Sequence, residues 1–152
     1  MLMVTINRVN FKIGGPAGSG VATVGLLFAK CLQRAGLHVF GTNAYPSLIK
    51  GGHNTYKVAA APEPIYSIVG SYDIVIALDK LTAELHANEL THGGALIYDS
   101  DKVKDACPVG RPDVICIGAP LTAMAAKAGG EIMFNTVALG ASMGIMELDI
   151  GI

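Results

Sequence analysis

The stretch that decides the fold reads VNFKIGGPAGSGVATVGLLFAKCLQRAG, from Val9 to Gly36. Its first residues alternate between apolar and polar, which predicts a half-buried strand with Phe11 and Ile13 inward and Lys12 outward. A glycine-rich turn follows, and apolar residues then recur at helical spacing until the final glycine ends the helix. A second strand is predicted over residues 37–42. Strand, turn, helix and strand in this order indicate a βαβ unit.

The rest of the chain continues this alternation. Asp73 to Leu78 is a continuous apolar run, typical of a strand covered on both faces. We predict a helix over residues 81–90 with Leu81 and Leu85 on its buried side, stopped by the Gly93-Gly94 pair. The remaining predicted elements are strands over 55–60, 95–98 and 113–117 and helices over 122–128 and 135–146. The pattern predicts a single α/β domain over residues 1–152, with three layers and a mainly parallel sheet flanked by helices.

Composition points to a surface that another chain covers. Hydrophobic residues make up 51% of the chain and charged residues only 15%, whereas soluble domains carry about a quarter charged residues. Monomers rarely leave large apolar patches in water, so partner chains are expected, and a homodimer stays open for the isolated chain. The longest uncharged stretch, Ile13 to Ala29, contains five glycines and Pro16. It is too short and irregular for a membrane span.

Charge and cysteine content argue against further classes. The net charge is −1 with no block of like charge, which argues against nucleic-acid binding. Cys31, Cys107 and Cys116 form no C-x-x-C pair, so an iron–sulfur cluster or zinc site built by this chain alone is not expected. Their odd number and the lack of an export signal predict a reducing cytoplasm. Cys107 is assigned no chemistry.

The turn from Gly14 to Gly20 lies between a strand and a helix, where backbone N–H groups favour phosphate. It is not a Walker loop, because no lysine follows Gly20. It is not a dinucleotide fingerprint, because Thr23 stands at the third glycine position and residues 41–43 carry no acid. Two interpretations stay open: a phosphate site, or a tight turn that serves packing alone.

Two loops together resemble a known family. Gly14 to Gly20 is similar to the opening glycine loop of the gamma component of 2-oxoacid:acceptor (ferredoxin) oxidoreductases, and Tyr45 to His53 is similar to its Y-P-S-x-x-[KR]-G-G-H loop. Segments 73–78, 93–99 and 135–141 fall in the order that the family has. The resemblance is strongest to the N-terminal domain of the 2-oxoglutarate-type alpha chain. Whether this chain is a whole small subunit or a truncated part of a longer chain stays open.

The resemblance implies an enzyme that works only as an assembly. A 2-oxoacid, coenzyme A and oxidised ferredoxin would give an acyl-CoA, carbon dioxide and reduced ferredoxin. Thiamine diphosphate, magnesium and iron–sulfur clusters are expected on partner alpha and beta chains, with a delta chain as an open further partner. This chain would hold none of these groups alone and would carry no catalytic residue. It would contribute to assembly and contact coenzyme A, while the identity of the 2-oxoacid stays open.

The candidate coenzyme A contacts lie in and near both loops. Lys50 would place a charge near a phosphate, and Asn43 and Asn54 would offer amide hydrogen bonds. His53 is interpreted as a residue that orders its loop or meets a partner chain, and Tyr45 as an interface anchor. The full set is Gly14, Gly15, Gly18, Ser19, Gly20, Asn43, Tyr45, Lys50, Gly51, Gly52, His53 and Asn54. Outside the loops, the predicted surface residues include His86, His92, Glu84 and Glu89.

Two functions of other classes stay open. One is an independent flavin- or nucleotide-binding α/β protein. The missing acid after the second strand weakens its nicotinamide form and leaves a flavin form open. The other is an interaction module in which both glycine-rich loops serve packing alone.

Overall fold

A sheet flanked by helices organises the chain. The computed structural model describes residues 8–45, 52–105 and 107–145. Within these residues the strands are β1 (Val9–Pro16), β2 (His38–Ala44), β3 (His53–Ala61), β4 (Tyr72–Ala77), β5 (Leu90–Asp99) and β6 (Ile115–Ala119). The helices are α1 (Val21–Arg34), α2 (Lys80–His86), α3 (Leu121–Ala128) and α4 (Phe134–Ile145), with short 3-10 helices over Ala87–Glu89 and Glu131–Met133.

The sheet has the strand order β2-β3-β1-β4-β5-β6. β1, β4, β5 and β6 run parallel, whereas β3 is antiparallel to both β1 and β2. The predicted α/β domain with a mainly parallel sheet is therefore confirmed. The predicted βαβ unit is split, because β3 pairs between β1 and β2. The well-buried β3 takes the inner position, and the largely exposed β2 lies at the edge.

Helices cover both faces of the sheet. α1, α3 and α4 pack on one face, where the Phe11 and Phe28 rings stack with centroids 4.1 Å apart. α2 packs on the other face, where Ala83 joins a core that contains Val75 of β4. The three predicted layers are thus present. With both faces covered, β1 is buried along most of its length, and Lys12 is only 3% exposed instead of facing outward.

The buried side of α2 differs from its prediction. Leu81 and Leu85, expected on the buried side, are 49% and 52% exposed. Asp79 caps the helix, because its carboxylate accepts a hydrogen bond from the Thr82 N–H at 2.9 Å. This cap sets where the first turn begins. Thr82 and Ala83 are consequently the buried residues of the helix.

β5 begins earlier than predicted. The Gly93-Gly94 pair, expected to stop a helix, lies inside the strand. Gly93 has a φ of +76°, a conformation that favours glycine. The register jumps here, since Tyr72 pairs with Leu90 whereas Ile74 pairs with Ala95. The glycine pair therefore lies in an irregular stretch of β5, after which the strand resumes its pairing with β4.

Two of the three cysteines are joined. Cys107 and Cys116 form a disulfide with Cα atoms 5.5 Å apart, which corrects the assignment of no chemistry to Cys107. The bond ties the loop after β5 to β6. Cys31 is free and partly buried in α1. The pairing removes the support that unpaired cysteines gave to a reducing compartment, and the cytoplasmic location stays a prediction.

Gly25 tests how closely α1 packs on the sheet. It is buried in the helix, and a Cβ there would overlap the Tyr56 ring. We expect Gly25→Ala to lower the free energy of unfolding by about 1–3 kcal/mol through overpacking, although alanine favours helices. Gly140 is the matched control, because it lies in α4 with open space around it. In urea denaturation Gly140→Ala should be neutral or up to about 1 kcal/mol more stable. Equal losses in the two variants would contradict this packing.

Candidate functional site

The glycine turn leaves the first N–H groups of α1 without a side-chain cap. Gly18 and Gly20 adopt left-handed backbone, with φ of +86° and +78°. The Ser19 hydroxyl donates to the Pro16 carbonyl at 2.7 Å and braces the turn. Gly20 is the N-cap residue and brings no side chain to the helix. The N-terminus of α1 therefore keeps donors that can bind an anion.

The two predicted loops meet at the end of β1. The Ala17 N–H donates to the Gly52 carbonyl at 2.9 Å. In the β1–β3 ladder, Gly15 lies opposite Asn54 and Pro16 lies opposite His53. Segments that are more than 30 residues apart in sequence are thus brought together through their backbones.

The side chains of these loops nevertheless lie on opposite faces of the sheet. A Cβ on Gly14 would lie 3.2 Å from the His53 ring, on the face that α2 covers. A Cβ on Gly15 would lie 2.8 Å from the Ser19 hydroxyl, on the face of α1. The alternation of β3 also sends Asn54 to the face opposite His53. The predicted residues that the structure describes therefore do not all line one pocket.

Asn43 and Tyr45 lie on and just after the edge strand, which is separated from β1 by β3. Asn43 is exposed on the edge strand β2, and Tyr45 is 62% exposed. Lys50 and Gly51 lie outside the described residues. The assignment of all these residues to coenzyme A binding stays a prediction.

A cavity of about 660 Å³ opens beside the glycine turn. Its walls come from segments that follow β1, β5 and β6, at the carboxyl edge where open α/β sheets bind ligands. The lining joins a cation, an amide and hydroxyl groups to apolar side chains, which suits a ligand with both anionic and apolar parts. The lining residues are Gly18, Ser19, Lys102, Thr122, Ala125, Ala126, Ile132, Phe134 and Asn135.

Lys102 and Asn135 are site residues that sequence reasoning missed. The Lys102 ammonium lies 4.7 Å from the centre of the Phe134 ring. The Asn135 amide fills the space over Gly20, where a Cβ would collide with it. Its Oδ1 is buried and has no hydrogen-bond partner among the described residues, a state that calls for an explanation. The sequence position of Lys102 could have indicated its role, because it closely follows the strand that ends at Asp99 and ligands bind at the carboxyl ends of such strands.

A second group of polar side chains lies between the sheet and α2. Lys12 forms an ion pair with Glu89, and its Nζ lies 3.2 Å from His86 Nδ1. His86 Nδ1 also lies 3.1 Å from Glu89 Oε2. On the other side of that ring, His86 Nε2 lies 2.9 Å from His53 Nε2. We call Lys12, His53, His86 and Glu89 the histidine cluster.

The cluster corrects one surface prediction. The His86 side chain, predicted at the surface, is only 13% exposed. The Glu89 side chain, predicted to be solvated, is 36% exposed and forms an ion pair with Lys12. Glu84 and His92 are exposed, as predicted.

Burial dominates the ionisation of the cluster. It lowers the pKa of His53, an effect that Asp79 opposes and the Lys12 charge reinforces. Burial and then Lys12 lower the pKa of His86. Burial also lowers the pKa of Lys12, against the pull of Glu89. Burial pushes the pKa of Glu89 upward, but the hydrogen bond and charge of Lys12 outweigh it and leave that pKa below its usual value. The lowered pKa values of His53 and His86 keep both rings neutral at neutral pH.

Among the residues that the structure describes, no group of three His, Cys, Asp or Glu side chains is placed to bind one metal ion. Across residues 8–45, 52–105 and 107–145, no helix has the length and apolar character to cross a membrane.

The fold and the two glycine loops are those of a family of oxidoreductase domains. Residues 10–152 match the pyruvate ferredoxin/flavodoxin oxidoreductase family, and the chain belongs to that family. More particularly, it is 31% identical over 140 residues to the 2-oxoglutarate synthase subunit KorC of Methanothermobacter thermautotrophicus. That alignment covers 88% of this chain and 74% of KorC. The family resemblance predicted from the sequence is confirmed.

Other relatives are much longer than this chain. The 2-oxoacid:ferredoxin oxidoreductase subunit alpha of Saccharolobus solfataricus is 32% identical over 94 residues, which cover 62% of this chain and only 15% of that subunit. Among solved structures, the 2-oxoglutarate:ferredoxin oxidoreductase of Magnetococcus marinus superposes with a TM-score of 0.79 and 27% identity. The match covers 90% of this chain and 24% of that one, which was solved with 2-oxoglutarate, coenzyme A and succinyl-CoA bound.

Gly18 and Gly20 form a matched pair for testing the turn. Both have left-handed backbone, but only a Cβ on Gly20 would collide with the Asn135 amide. We expect Gly18→Ala to cost about 1–2 kcal/mol of unfolding free energy from backbone strain alone. Gly20→Ala should cost more, because Asn135 must also leave its place. Urea unfolding measures the difference, and equal losses would contradict the position of Asn135.

Proposed function

We propose that this chain is the gamma component of a thiamine-diphosphate-dependent 2-oxoacid:ferredoxin oxidoreductase. The observation that carries the proposal is the family match over residues 10–152. The similarity to KorC, whose length the alignment covers to 74%, supports it. In the proposed reaction a 2-oxoacid, coenzyme A and oxidised ferredoxin give an acyl-CoA, carbon dioxide and reduced ferredoxin. These relatives do not favour an independent flavin- or nucleotide-binding protein.

Partner chains supply the redox chemistry in this proposal. Alpha and beta chains hold thiamine diphosphate, magnesium and iron–sulfur clusters, and ferredoxin meets the assembly through them. A delta chain stays an open further partner. This chain is inactive alone, works in the cytoplasm, and contributes to assembly and to binding of coenzyme A.

Apolar side chains on the surface support the role in assembly. Large hydrophobic residues are exposed on several elements of the described chain, while only 15% of the whole sequence is charged. The cores of protein interfaces are poor in charge and rich in apolar side chains. The exposed residues include Leu26, Tyr45, Tyr66, Val69, Leu81, Leu85, Ile115, Met124 and Ile132.

Coenzyme A contact is assigned to the glycine turn and the adjoining cavity. The phosphates of coenzyme A suit the N–H groups at the start of α1 and the ammonium of Lys102. The apolar lining around Phe134 suits the less polar parts of the same molecule. The similar Magnetococcus marinus enzyme was solved with coenzyme A bound, which supports this assignment at the level of the whole enzyme.

Affinity purification of the tagged chain from its native organism tests the assembly. We expect alpha and beta oxidoreductase chains to co-purify, together with coenzyme A-dependent oxidation of a 2-oxoacid that reduces ferredoxin. The isolated chain should lack this activity, because the proposal places the thiamine and iron–sulfur groups on partners. A chain that purifies without oxidoreductase partners would contradict the proposal.

Lys102 tests the coenzyme A site in the assembled enzyme. Loss of a charge-assisted contact to phosphate should raise the Michaelis constant for coenzyme A about tenfold in Lys102→Ala. Lys104 is the matched control, because its Nζ donates to the Ser100 carbonyl and it does not line the cavity. Pantetheine, which lacks the phosphates, should bind wild type and Lys102→Ala equally. An unchanged constant, or equal effects of the two lysines, would contradict the site.

A further inference from the structure

The histidine cluster offers a chemistry that the proposed function does not use. Its members come from separate elements, with Lys12 on β1, His53 on β3, His86 on α2 and Glu89 in the 3-10 helix that follows. The ring centroids of His53 and His86 are 5.1 Å apart, and the rings are inclined by 27°. Their Nε2 atoms are only 2.9 Å apart. The rings therefore meet edge to edge through these nitrogens.

One hydrogen lies between the two Nε2 atoms of His53 and His86. A contact of 2.9 Å between nitrogens is a hydrogen bond, which needs one N–H donor and one lone pair. A neutral imidazole carries one N–H, so the ring that donates through Nε2 has a lone pair on its Nδ1. Either ring can be the donor.

The two arrangements place different groups at the ends of the pair. If His86 donates, its Nδ1 lone pair accepts from the Lys12 ammonium at 3.2 Å, and His53 Nδ1 carries N–H. If His53 donates, its own Nδ1 carries the lone pair, and His86 Nδ1–H donates to Glu89 at 3.1 Å. Lysine is a donor only and glutamate an acceptor only, so each arrangement uses one of the two neighbours.

We propose that Lys12, Glu89, His86 and His53 form one proton-binding site, which takes up a single proton and shares it across the two imidazoles. In the first arrangement the proton from solvent adds to His86 Nδ1, which then donates to Glu89. In the second it adds to His53 Nδ1, which is buried and has no hydrogen-bond partner among the described residues. Both routes end in the same species, with N–H on both Nδ1 atoms, one hydrogen between the Nε2 atoms and one positive charge on the pair.

The surrounding charges act on the first proton in both directions, and a second proton is opposed. Glu89 faces the pair from the 3-10 helix, and Asp79 adds negative charge from the start of α2. Lys12 opposes charge on both rings. A second proton would put N–H on both facing nitrogens, break their hydrogen bond and bring two cations into contact. Lys57 of β3 and Tyr72 of β4 also neighbour Lys12.

The stability of the chain follows the proton count of the pair. Burial lowers the pKa of both His53 and His86 in the folded chain. A histidine in the unfolded chain has a pKa of about 6.5. Below that pH the unfolded state binds more protons than the folded state. The free energy of unfolding therefore falls as the pH is lowered through this range.

Imidazole nitrogen spectra of the 15N-labelled chain test the proposal. The shifts of Nδ1 and Nε2 distinguish the two neutral tautomers from the protonated ring. Between about pH 8 and about pH 4.5, which spans the histidine range, we expect His53 and His86 to titrate with one common midpoint and one proton for the pair. His38 and His92 are exposed and serve as internal references in the same spectra.

Charge variants test the two neighbours of the pair. Lys12→Met should move the common midpoint to higher pH by removing a positive charge, and Glu89→Gln should move it to lower pH. Lys30→Met is the matched control, because Lys30 is exposed on α1 on the other side of the sheet. It should leave the midpoint unchanged. His86→Gln should give His53 a different midpoint of its own, since its partner can no longer share the proton.

The wild-type titration decides the proposal even where a variant fails to fold. Separate midpoints for the two rings, or uptake of one proton by each ring, would overturn it. Folded variants of Lys12 and Glu89 that leave a common midpoint unmoved would also overturn the site as a unit of four residues. Circular dichroism shows which variants are folded.

Discussion

The rest of the structure depends on the burial of β1 on both of its faces. The strand lies between β3 and β4 and is covered by α1 on one face and α2 on the other. On the first face Phe11 and Ile13 enter the larger core. On the second face Lys12 is buried. A buried ammonium without a partner would destabilise the fold by about 3–5 kcal/mol. Glu89 and His86 are therefore required beside it, and the polar cluster is a consequence of where the strand lies.

The same burial explains the two adjacent glycines at the end of β1. A Cβ on Gly14 would lie 2.7 Å from the Thr82 methyl group of α2, and one on Gly15 would lie 3.0 Å from Leu78 Cβ. Neighbouring atoms approach both glycines so closely that neither face has room for a side chain here. The close approach brings His53 against Gly14 on one face and Ser19 against Gly15 on the other. Gly14 and Gly15 thus lie both in the packed interior and beside the candidate sites. Glycine is therefore needed at these two positions whether or not a ligand binds.

The sequence predicted the features that depend on local pattern and missed those that depend on distant partners. The apolar run at 73–78 and the glycine turn before α1 were both placed correctly, because periodicity and turn chemistry are local signals. Lys12 was placed outward, since alternation cannot reveal Glu89, 77 residues away. Leu81 and Leu85 were placed inward because the Asp79 cap, which sets the first turn, was not recognised. The insertion of β3 between β1 and β2 was also missed, because strand order depends on pairing between segments that are distant in sequence.

The two faces of β1 also explain how positive charge reaches the glycine turn. Lys12 is the nearest lysine before the turn in sequence, but it belongs to the face of α2 and its charge is already paired with Glu89. A phosphate at the turn could not use it without leaving the Glu89 carboxylate without its partner. The attraction for an anion must therefore come from the uncapped N–H groups of α1 and from a cation on another strand. Lys102, which follows β5 and reaches the same cavity as Ser19, is the lysine that lines it among the described residues. Separation of the charges between the two faces lets one strand adjoin both the partly buried histidine cluster and the uncapped N-terminus of α1 without either neutralising the other.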